Sequence, residues 1–344
     1  MKPRVCIVSP ALAAANNGNW HTAARWQRFL APKAEVQVLL SWQAEPADAL
    51  IALHARRSAD SIERFRAAHP GRPLAVVLTG TDLYRDLELG DAQARHSLQC
   101  ADQVVVLQPE ALHRLPAEVR AKARSIVQSA SRVLRRDQAR MHTDFVAVGH
   151  LRAEKDPHTL MQAARLMKTV PGWRITHIGN PLDEALAAQA RSTMAEVPAY
   201  RWLGGLPAPA ARRWIARGHA LVHMSRMEGG ANVVIEAVRS RVPVLASRID
   251  GNVGLLGPDY GGYFPVGDAP ALAALMQRFM NDPAWADGLR AQCLALEAGF
   301  EPRVEAAAVR RLLHDLLAAP AASRDAARLP QSRESSCDTT TASP

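Results

Sequence analysis

A short segment near position 230 combines two carboxylates with a pair of glycines. Glu228 and Glu236 are separated by seven residues, and Gly229 and Gly230 follow the first of them. Glycine allows a tight turn and a close approach to a ligand, and the N-terminus of a following helix offers unpaired N–H groups to phosphate oxygens. Glu236 lies in an apolar run, so its carboxylate needs partners such as sugar hydroxyls. We therefore predict a site for a phosphorylated, hydroxyl-rich ligand; the alternative is that both carboxylates only complement the helix dipole.

Three further polar segments follow predicted strands in the first half of the chain. They are Asn16, Asn17, Gly18 and Asn19, then His54 to Ser58 with Arg56 and Arg57, and finally Thr79, Gly80, Thr81 and Asp82. Asn and Gly tolerate left-handed backbone and supply donors, and Ser58 is a candidate helix N-cap. Two arginines at a strand end suggest an anionic ligand. The alternatives are a plain turn with an Asn cap and a solvated pair of arginines.

Short apolar runs alternate with helical patterns and must position these segments. Strands are predicted at Val5–Val8, Val36–Leu40, Leu50–Leu53, Leu74–Leu78 and Val104–Leu107, and again at Phe145–Val148, Arg174–Ile178, Ala220–His223 and Pro243–Ala246. Strands without a polar face belong to parallel, doubly wound sheets, whose ligands bind beyond the carboxyl ends of the strands. We predict an α/β protein with two facing Rossmann-like, doubly wound domains and a cleft between them.

The same patterns divide the chain. We predict a first domain over residues 1–142 and a second over residues 143–302, followed by a helix over 303–319 that crosses back to the first domain. After Pro320 the apolar periodicity is lost, so residues 320–344 are predicted to be a disordered tail.

Composition narrows the class of protein. The 344 residues carry a formal charge of +9 and 5% aromatic residues, and the four cysteines have no CxxC spacing, so neither a disulfide framework nor a metal site is expected. No cofactor is expected, and a location in the cytoplasm is the default because no apolar run reaches the length of a membrane span. A basic cluster suggests nucleic-acid binding as an alternative; its members are Arg114, Arg120, Lys122, Arg124, Arg132, Arg135, Arg136 and Arg140. It has no interleaved aromatic residues, which favours a solvated basic face.

The segment from Glu228 to Glu236 resembles the E-x7-E motif of GT-B glycosyltransferases of the family-4 type. Further landmarks follow in the family's order: Val148 to Lys155, Trp202-Leu203-Gly204, Pro243 to Ser247 and Asp250-Gly251-Asn252. The resemblance implies a metal-independent enzyme whose second domain binds a sugar nucleotide and whose first domain binds the acceptor.

The resemblance also implies a role for each matching residue. Glu236 would bind the ribose hydroxyls and Glu228 the donor sugar, and Lys155 would neutralise the departing diphosphate. The remaining donor-binding positions would be Gly204, Gly229, Gly230, Ala231 and Asn232. His150 stands where the family has an arginine, so the second cation is either a histidinium there or Arg152.

The first-half segments are similar to a narrower family, the selenosugar synthases of selenoneine biosynthesis. That resemblance implies transfer of a sugar from a UDP-sugar, such as UDP-N-acetylglucosamine, to selenophosphate. Thr79 stands where related enzymes have a histidine, and His21 and His54 are weaker substitutes. A selenium nucleophile has less need of a general base.

Three alternatives remain open: an O-glycosyltransferase with a carbohydrate acceptor, for which Trp20, Trp26 and Trp42 could be stacking platforms, a phosphorylase or epimerase on the same fold, and the nucleic-acid-binding protein. The expected partners are the two substrates, without nucleic acid or a membrane span. The oligomeric state is left open.

Overall fold

The computed structural model describes residues 1–13, 17–134 and 141–318. Asn16, the basic residues Arg135, Arg136 and Arg140, and the segment 320–344 that the sequence predicts to be a tail lie outside the described residues. In the described ranges no helix is both long and apolar enough to span a membrane.

The first domain is built on a six-stranded parallel sheet with the order β2-β1-β3-β4-β5-β6. Its strands are β1 Arg4–Val8, β2 Glu35–Leu39, β3 Ala49–Leu53, β4 Leu74–Val77, β5 Gln103–Val106 and β6 Ala123–Ser125. Its α-helices are α1 Gly18–Leu30, α2 Ala59–Ala68, α3 Ala92–Cys100 and α4 Ala117–Arg120, with a π-helical segment at Asp82–Leu87 and a 3-10 helix at Pro109–Arg114. Five of these strands match the predicted ones; β6 has three half-buried residues and no apolar run that would reveal it.

The second domain repeats the arrangement with the strand order β12-β11-β10-β7-β8-β9, again all parallel. Its strands are β7 Thr143–Val148, β8 Trp173–Ile178, β9 Tyr200–Trp202, β10 Ala220–His223, β11 Val244–Ser247 and β12 Tyr263–Phe264. Its α-helices are α5 Pro157–Leu166, α6 Glu184–Glu196, α7 Ala208–Arg217, α8 Asn232–Arg239, α9 Asp250–Leu256, α10 Ala269–Asn281 and α11 Pro283–Leu296, with 3-10 helices at Ala153–Lys155 and Glu297–Phe300. The short strands β9 and β12 were not predicted.

The apolar strands form these sheets because both of their faces are covered. All five residues of β3 are buried, and helix α1 covers one face of the first sheet with Ala23, Trp26 and Leu30. These helix positions are three and four residues apart, which places them on one face of the helix. The strands therefore end at a fixed edge, and the loops that follow β1, β3 and β4 lie side by side there.

The last described helix, α12 Pro302–Ala318, returns to the first domain. Its apolar side chains Val309, Leu312 and Leu316 belong to the same buried cluster as Val5 and Ile7 of β1. A buried carboxylate adds polar contacts at the start of this helix.

That carboxylate is Glu305, which accepts hydrogen bonds from Trp26 Nε1 at 2.8 Å, from Arg25 Nε at 2.7 Å and from the Ser129 amide at 2.8 Å. A buried charge with several donors is well compensated. Helix α12 thus fixes α1 and the loop after β6, both of which border the cleft.

Candidate active site

A cleft of about 510 Å³ lies between the carboxyl ends of the two sheets. From the first domain, the predicted residues that line it are Asn17, Gly18, Asn19, Thr79, Gly80 and Thr81. From the second domain, they are His150, Arg152, Lys155, Glu228, Gly230, Ala231, Asn232 and Glu236. Residues from well-separated segments of the sequence therefore meet around a single cavity.

A cation and a carboxylate are paired on the wall of the second domain. Lys155 Nζ donates to Glu228 Oε1, and Ser225 Oγ donates to the same oxygen at 2.7 Å. Burial opposes ionisation of Glu228, but Lys155 and His223 outweigh it and hold its pKa well below the usual range. Glu228 is therefore a carboxylate, and Lys155 is a fixed positive charge on the cleft surface.

Glu236 lies on the same wall in a different environment. It projects from α8, and its nearest cation is Arg212, whose Nε is 3.7 Å from Oε1. Burial raises the pKa of Glu236 to about 7, although Arg212 and Arg25 act in the opposite direction. The N-cap residue Ala231 makes no side-chain capping bond, so the first N–H groups of α8 have no side-chain acceptor from that residue.

The two glycine-containing turns are in backbone contact across the cleft. A Cβ atom on Gly80, whose φ is +129°, would lie 2.6 Å from the backbone nitrogen of Gly229. A Cβ atom on Gly229 would lie 2.6 Å from the nitrogen of Gly80. Gly229 itself stands between the lining residues Glu228 and Gly230. Both glycines are needed here for the close approach of the two domains.

Asp82 corrects one sequence-based expectation, because it does not line the cleft. It is fully buried and accepts hydrogen bonds from the backbone amides of Thr79 and Gly80 through Oδ1, at 2.9 and 2.8 Å. Its Oδ2 accepts from the amide of Ala55 at 3.0 Å. Asp82 therefore holds the loops after β3 and β4 together and positions the residues that form the wall.

Arg56 is a second correction. Its guanidinium pairs with Asp91 at 3.0 Å and with Asp86 at 3.6 Å, outside the cleft. The adjacent Arg57 lines the cleft instead, and its side chain forms no ion pair within the described ranges. Ser58 does stand at the N-cap of α2, but its hydroxyl donates to the carbonyl of Leu53 at 2.6 Å and does not cap the helix.

Gly204 is a third correction, because it does not line the cleft. It has φ +70°, and its carbonyl accepts a hydrogen bond from Gly179 N at 2.8 Å. Gly205 lines the cleft instead, together with Asn180. Asn180 follows the end of β8 and Gly205 the end of β9, and ligands of parallel sheets bind beyond such strand ends.

The hypothesis of a histidinium at position 150 is also corrected. His150 Nδ1 accepts a hydrogen bond from the backbone amide of Asn180 at 3.0 Å, so this nitrogen carries no proton. Arg152 lines the same part of the cleft, and its Nε lies 3.9 Å from Glu154. The structure therefore favours Arg152 as the second cation beside Lys155.

Four lining residues had little or no weight in the sequence analysis. His54 and His21 both reach the cleft, and so do Thr22 and Gln128. Gln128 follows the unpredicted strand β6, and Thr22 lies one turn into α1. The signal for His54 in the sequence is its position directly after β3.

The tryptophans and the basic cluster on which the alternative functions depend make their contacts within the chain. Trp26 and Trp42 are buried, and no Trp, Tyr or Phe side chain is among the described residues that line the cleft. The five described members of the basic cluster all have partners in the chain: Arg114 with Asp250, Arg120 with the Leu115 carbonyl, Lys122 with the Ala101 carbonyl, Arg124 with Asp315 and Arg132 with Glu297. Over residues 1–13, 17–134 and 141–318, no group of three or more His, Cys, Asp or Glu side chains could hold a metal ion.

Comparison with solved structures defines the class of fold. The chain is similar to sucrose-phosphate synthase from Thermosynechococcus elongatus, with a TM-score of 0.74, 18% identity, and coverage of 92% of this chain and 100% of that one. It is similar to HepE of Anabaena in complex with UDP and glucose, with a TM-score of 0.71, 12% identity, and coverage of 91% and 100%. The pneumococcal O-GlcNAc transferase GtfA, in complex with UDP and GlcNAc, gives a TM-score of 0.65 at 17% identity over 79% of this chain and 57% of that chain. The protein has the GT-B fold.

The sequence match to a known family lies in the second domain. Residues 142–282 match the family model described as "Glycosyl transferases group 1". A curated relative, glycosyltransferase 1 domain-containing protein 1 of Xenopus tropicalis, is 26% identical over 140 residues, which is 40% of this chain and 40% of the relative. The chain thus aligns with less than half the length of that relative. Residues 142–282 are thus similar to group 1 glycosyltransferases.

Proposed function

We propose that this protein is a glycosyltransferase that moves a sugar from a UDP-sugar to selenophosphate. The observation that carries the proposal is the contrast between the two cleft walls. The second domain presents Lys155, Arg152 and the N-terminus of α8. The facing wall presents Arg57 and the Thr79–Thr81 turn, and no Trp, Tyr or Phe among the described lining residues. Such a surface suits a small oxyanion better than a sugar ring, which usually packs on an aromatic side chain.

The chemistry needs little beyond electrostatics. The selenium atom would form a bond to the anomeric carbon of the sugar while the bond from that carbon to UDP breaks, and UDP would leave with the electron pair. The first product would keep the phosphoryl group on selenium, and water would then cleave the Se–P bond to give the selenosugar and phosphate. The negative charge that develops on the diphosphate would be stabilised by Lys155 and Arg152, which the fold already holds in place. A selenium nucleophile needs no strong general base.

The identity of the donor has support from two sides. The structures of HepE and GtfA in the comparison contain UDP, and that of GtfA also contains GlcNAc. Glu228 and Glu236, the two glutamates of the E-x7-E pattern, both line the cleft on the second domain. Their carboxylates can accept hydrogen bonds from ribose and sugar hydroxyls. UDP-N-acetylglucosamine is therefore the donor to test first.

The test is an anaerobic incubation of the purified protein with UDP-N-acetylglucosamine and one of three acceptors: selenophosphate, phosphate or a plain sugar. UDP release is measured, and mass spectrometry detects the selenium-bearing sugar. We expect a selenosugar in the selenophosphate reaction only. UDP release with the plain sugar alone would favour the O-glycosyltransferase alternative, and no release with any acceptor would contradict the proposal.

Two matched variants test whether the reaction takes place in the cleft. Glu228→Gln removes the carboxylate that binds Lys155 and should lower the rate by about 10²-fold or more, as removal of one preorganised polar group typically does. Glu196→Gln changes a glutamate whose side chain is 42% exposed and which pairs with Arg165, and it should leave the rate unchanged. Equal rates in the two variants would place the reaction elsewhere.

A further inference from the structure

His54 is a buried histidine held in an unusual backbone conformation at the end of β3. Its φ is +72°, and its side chain is 2% exposed. Left-handed backbone costs a non-glycine residue free energy, and such strain persists only where surrounding contacts hold it in place. The conformation turns the ring toward the neighbouring loop after β4, where Nε2 lies 2.9 Å from Thr81 Oγ1. The proposed transfer reaction gives this ring no role.

The hydrogen bonds around the ring determine where its proton lies. The backbone amide of Arg57 donates to His54 Nδ1 at 3.3 Å, so Nδ1 must present a lone pair. In a neutral imidazole the other nitrogen then carries the proton. Burial lowers the pKa of His54, although Asp82 and Asp86 act against this, and the neutral form is therefore favoured. His54 Nε2 donates, and Thr81 Oγ1 accepts.

This direction leaves the Thr81 hydroxyl proton pointing away from the histidine. Within the described ranges no other hydrogen bond to the Thr81 hydroxyl is formed. Thr81 is half-buried and lines the cleft, so its proton is available to a ligand there. The ligand atom that it meets must be a hydrogen-bond acceptor, because the oxygen already accepts from His54.

A catalytic triad is the opposite interpretation of the same residues. It would require Nδ1–H to donate to Asp82 and Nε2 to remove the proton of Thr81. The distance from His54 Nδ1 to Asp82 Oδ2 is 3.8 Å, too long for a hydrogen bond, and the Arg57 amide already occupies Nδ1. Both Asp82 oxygens accept from backbone amides instead. Thr81 is therefore a hydrogen-bond donor to the ligand and no nucleophile.

We propose that His54 orients the hydroxyl of Thr81 as a dedicated donor to an oxyanion group of the acceptor substrate, next to the guanidinium of Arg57. The Arg57 side chain is exposed, lines the same wall and has no ion-pair partner among the described residues. A phosphate-type group offers several acceptor oxygens and the charge that Arg57 favours. His54 is a positioning residue, and Thr81 is the contact. The inference rests on the proposed function only in assigning this wall to the acceptor.

The test measures binding of inorganic phosphate to the full chain, by calorimetry at saturating UDP so that the donor side is already filled. Thr81→Val keeps the shape of the side chain but removes the donor, and the Kd for phosphate should rise about 10- to 100-fold, as for a lost bond to a charged group. Thr81→Ser keeps the hydroxyl and should stay within about threefold of the wild type. The Kd for UDP should be the same in all three proteins.

Two histidine variants test the positioning role. In His54→Gln the side-chain amide nitrogen can replace Nε2 as the donor, whereas in His54→Asn the shorter amide reaches only the position of Nδ1. Asparagine tolerates left-handed backbone better than glutamine does, so weaker phosphate binding in His54→Asn than in His54→Gln could not be attributed to backbone strain. We expect that order. Nitrogen chemical shifts of His54 in the wild type should show a proton on Nε2.

Each opposing outcome would overturn the inference. They are equal phosphate affinity in Thr81→Val and the wild type, equal loss of UDP and phosphate binding, a proton on Nδ1, or no phosphate binding by the wild type. The proposed function is tested separately. If phosphate binds with the expected order of variants but no selenosugar forms, the transfer proposal is wrong and the oxyanion site remains.

Discussion

The two walls of the cleft are built in different ways. On the second domain, functional side chains contact each other directly, as Lys155, Ser225 and His223 do around Glu228. On the first domain, the wall consists mostly of backbone turns, and one buried carboxylate, Asp82, holds two of them, with the side-chain pair of His54 and Thr81 beside them. A wall of paired side chains fixes charge in space, whereas a wall of turns fixes shape. This difference suits a constant charged leaving group on one side and a small acceptor on the other.

The two glutamates of the second wall also differ from each other. Both are substantially buried, but Glu228 has Lys155 in contact, whereas Glu236 has Arg212 at 3.7 Å. The pKa of Glu228 is therefore held well below the usual range, and burial raises that of Glu236 to about 7. Contact with a cation, more than burial, separates a permanent carboxylate from one that titrates near neutral pH.

Replacing the fixed cation should have the largest effect. In Lys155→Met the departing diphosphate loses one preorganised charge, so we expect kcat to fall about 10²–10³-fold. Steady-state UDP release measures this. Lys168→Met makes the same substitution at an exposed residue outside the cleft and should leave kcat unchanged. A loss below about tenfold in Lys155→Met would mean that Arg152 alone stabilises the leaving group.

The buried carboxylate of the first wall should matter for stability. Asp82→Asn replaces an ionised acceptor of several backbone N–H groups by an amide with one acceptor oxygen, and we expect the free energy of unfolding to fall by about 2–4 kcal/mol. Urea unfolding measures it. Asp259→Asn, at an exposed position, should change it by less than about 0.5 kcal/mol. Similar values for the two variants would contradict the idea that Asp82 holds this wall.

The contrast between the glutamates predicts a pH dependence. A folded-state pKa of about 7 for Glu236, against 4.5 for the ordinary group, means that the folded protein binds the proton more tightly. The contribution to stability is fully present below pH 4.5 and is lost as the pH rises through 7. Relative to the wild type, Glu236→Gln should therefore become more stable by about 2 kcal/mol between about pH 5 and about pH 8.

Urea unfolding of both proteins at several pH values tests this, because shared titrations cancel in the difference. Glu63→Gln, which changes an exposed glutamate of helix α2 outside the cleft, serves as the control and should give a flat difference. A flat difference for Glu236→Gln as well would show that Arg212 stabilises the carboxylate as much as burial opposes it.

The fold could be predicted from the sequence more completely than the residues that line the cleft. The two doubly wound domains followed from nine apolar runs because parallel strands are buried on both faces, whereas the GT-B class and the residues of the second wall followed from the resemblance of Val148 to Lys155 and of Glu228 to Glu236 to a known family. The unpredicted strands β6 and β9 carry Gln128 and Gly205 beyond their ends, so those residues were missed with them. Asp82 was misassigned because a buried carboxylate bonded to amides and an exposed one in a cleft have the same sequence pattern.

Two adjacent arginines provide the smallest and most local test. Arg57 lines the cleft without an ion-pair partner among the described residues, whereas Arg56 pairs with Asp91 and Asp86 outside it. Arg57→Gln should raise the KM for the anionic acceptor about tenfold, which corresponds to ~1.4 kcal/mol, with the KM for the donor unchanged. Arg56→Gln should leave both KM values unchanged and lower the free energy of unfolding by at most about 1 kcal/mol, because its side chain is half-exposed. If Arg56→Gln raised the acceptor KM and Arg57→Gln did not, the acceptor would bind on the outer face of this loop, and the comparison of the two walls would have to be redrawn.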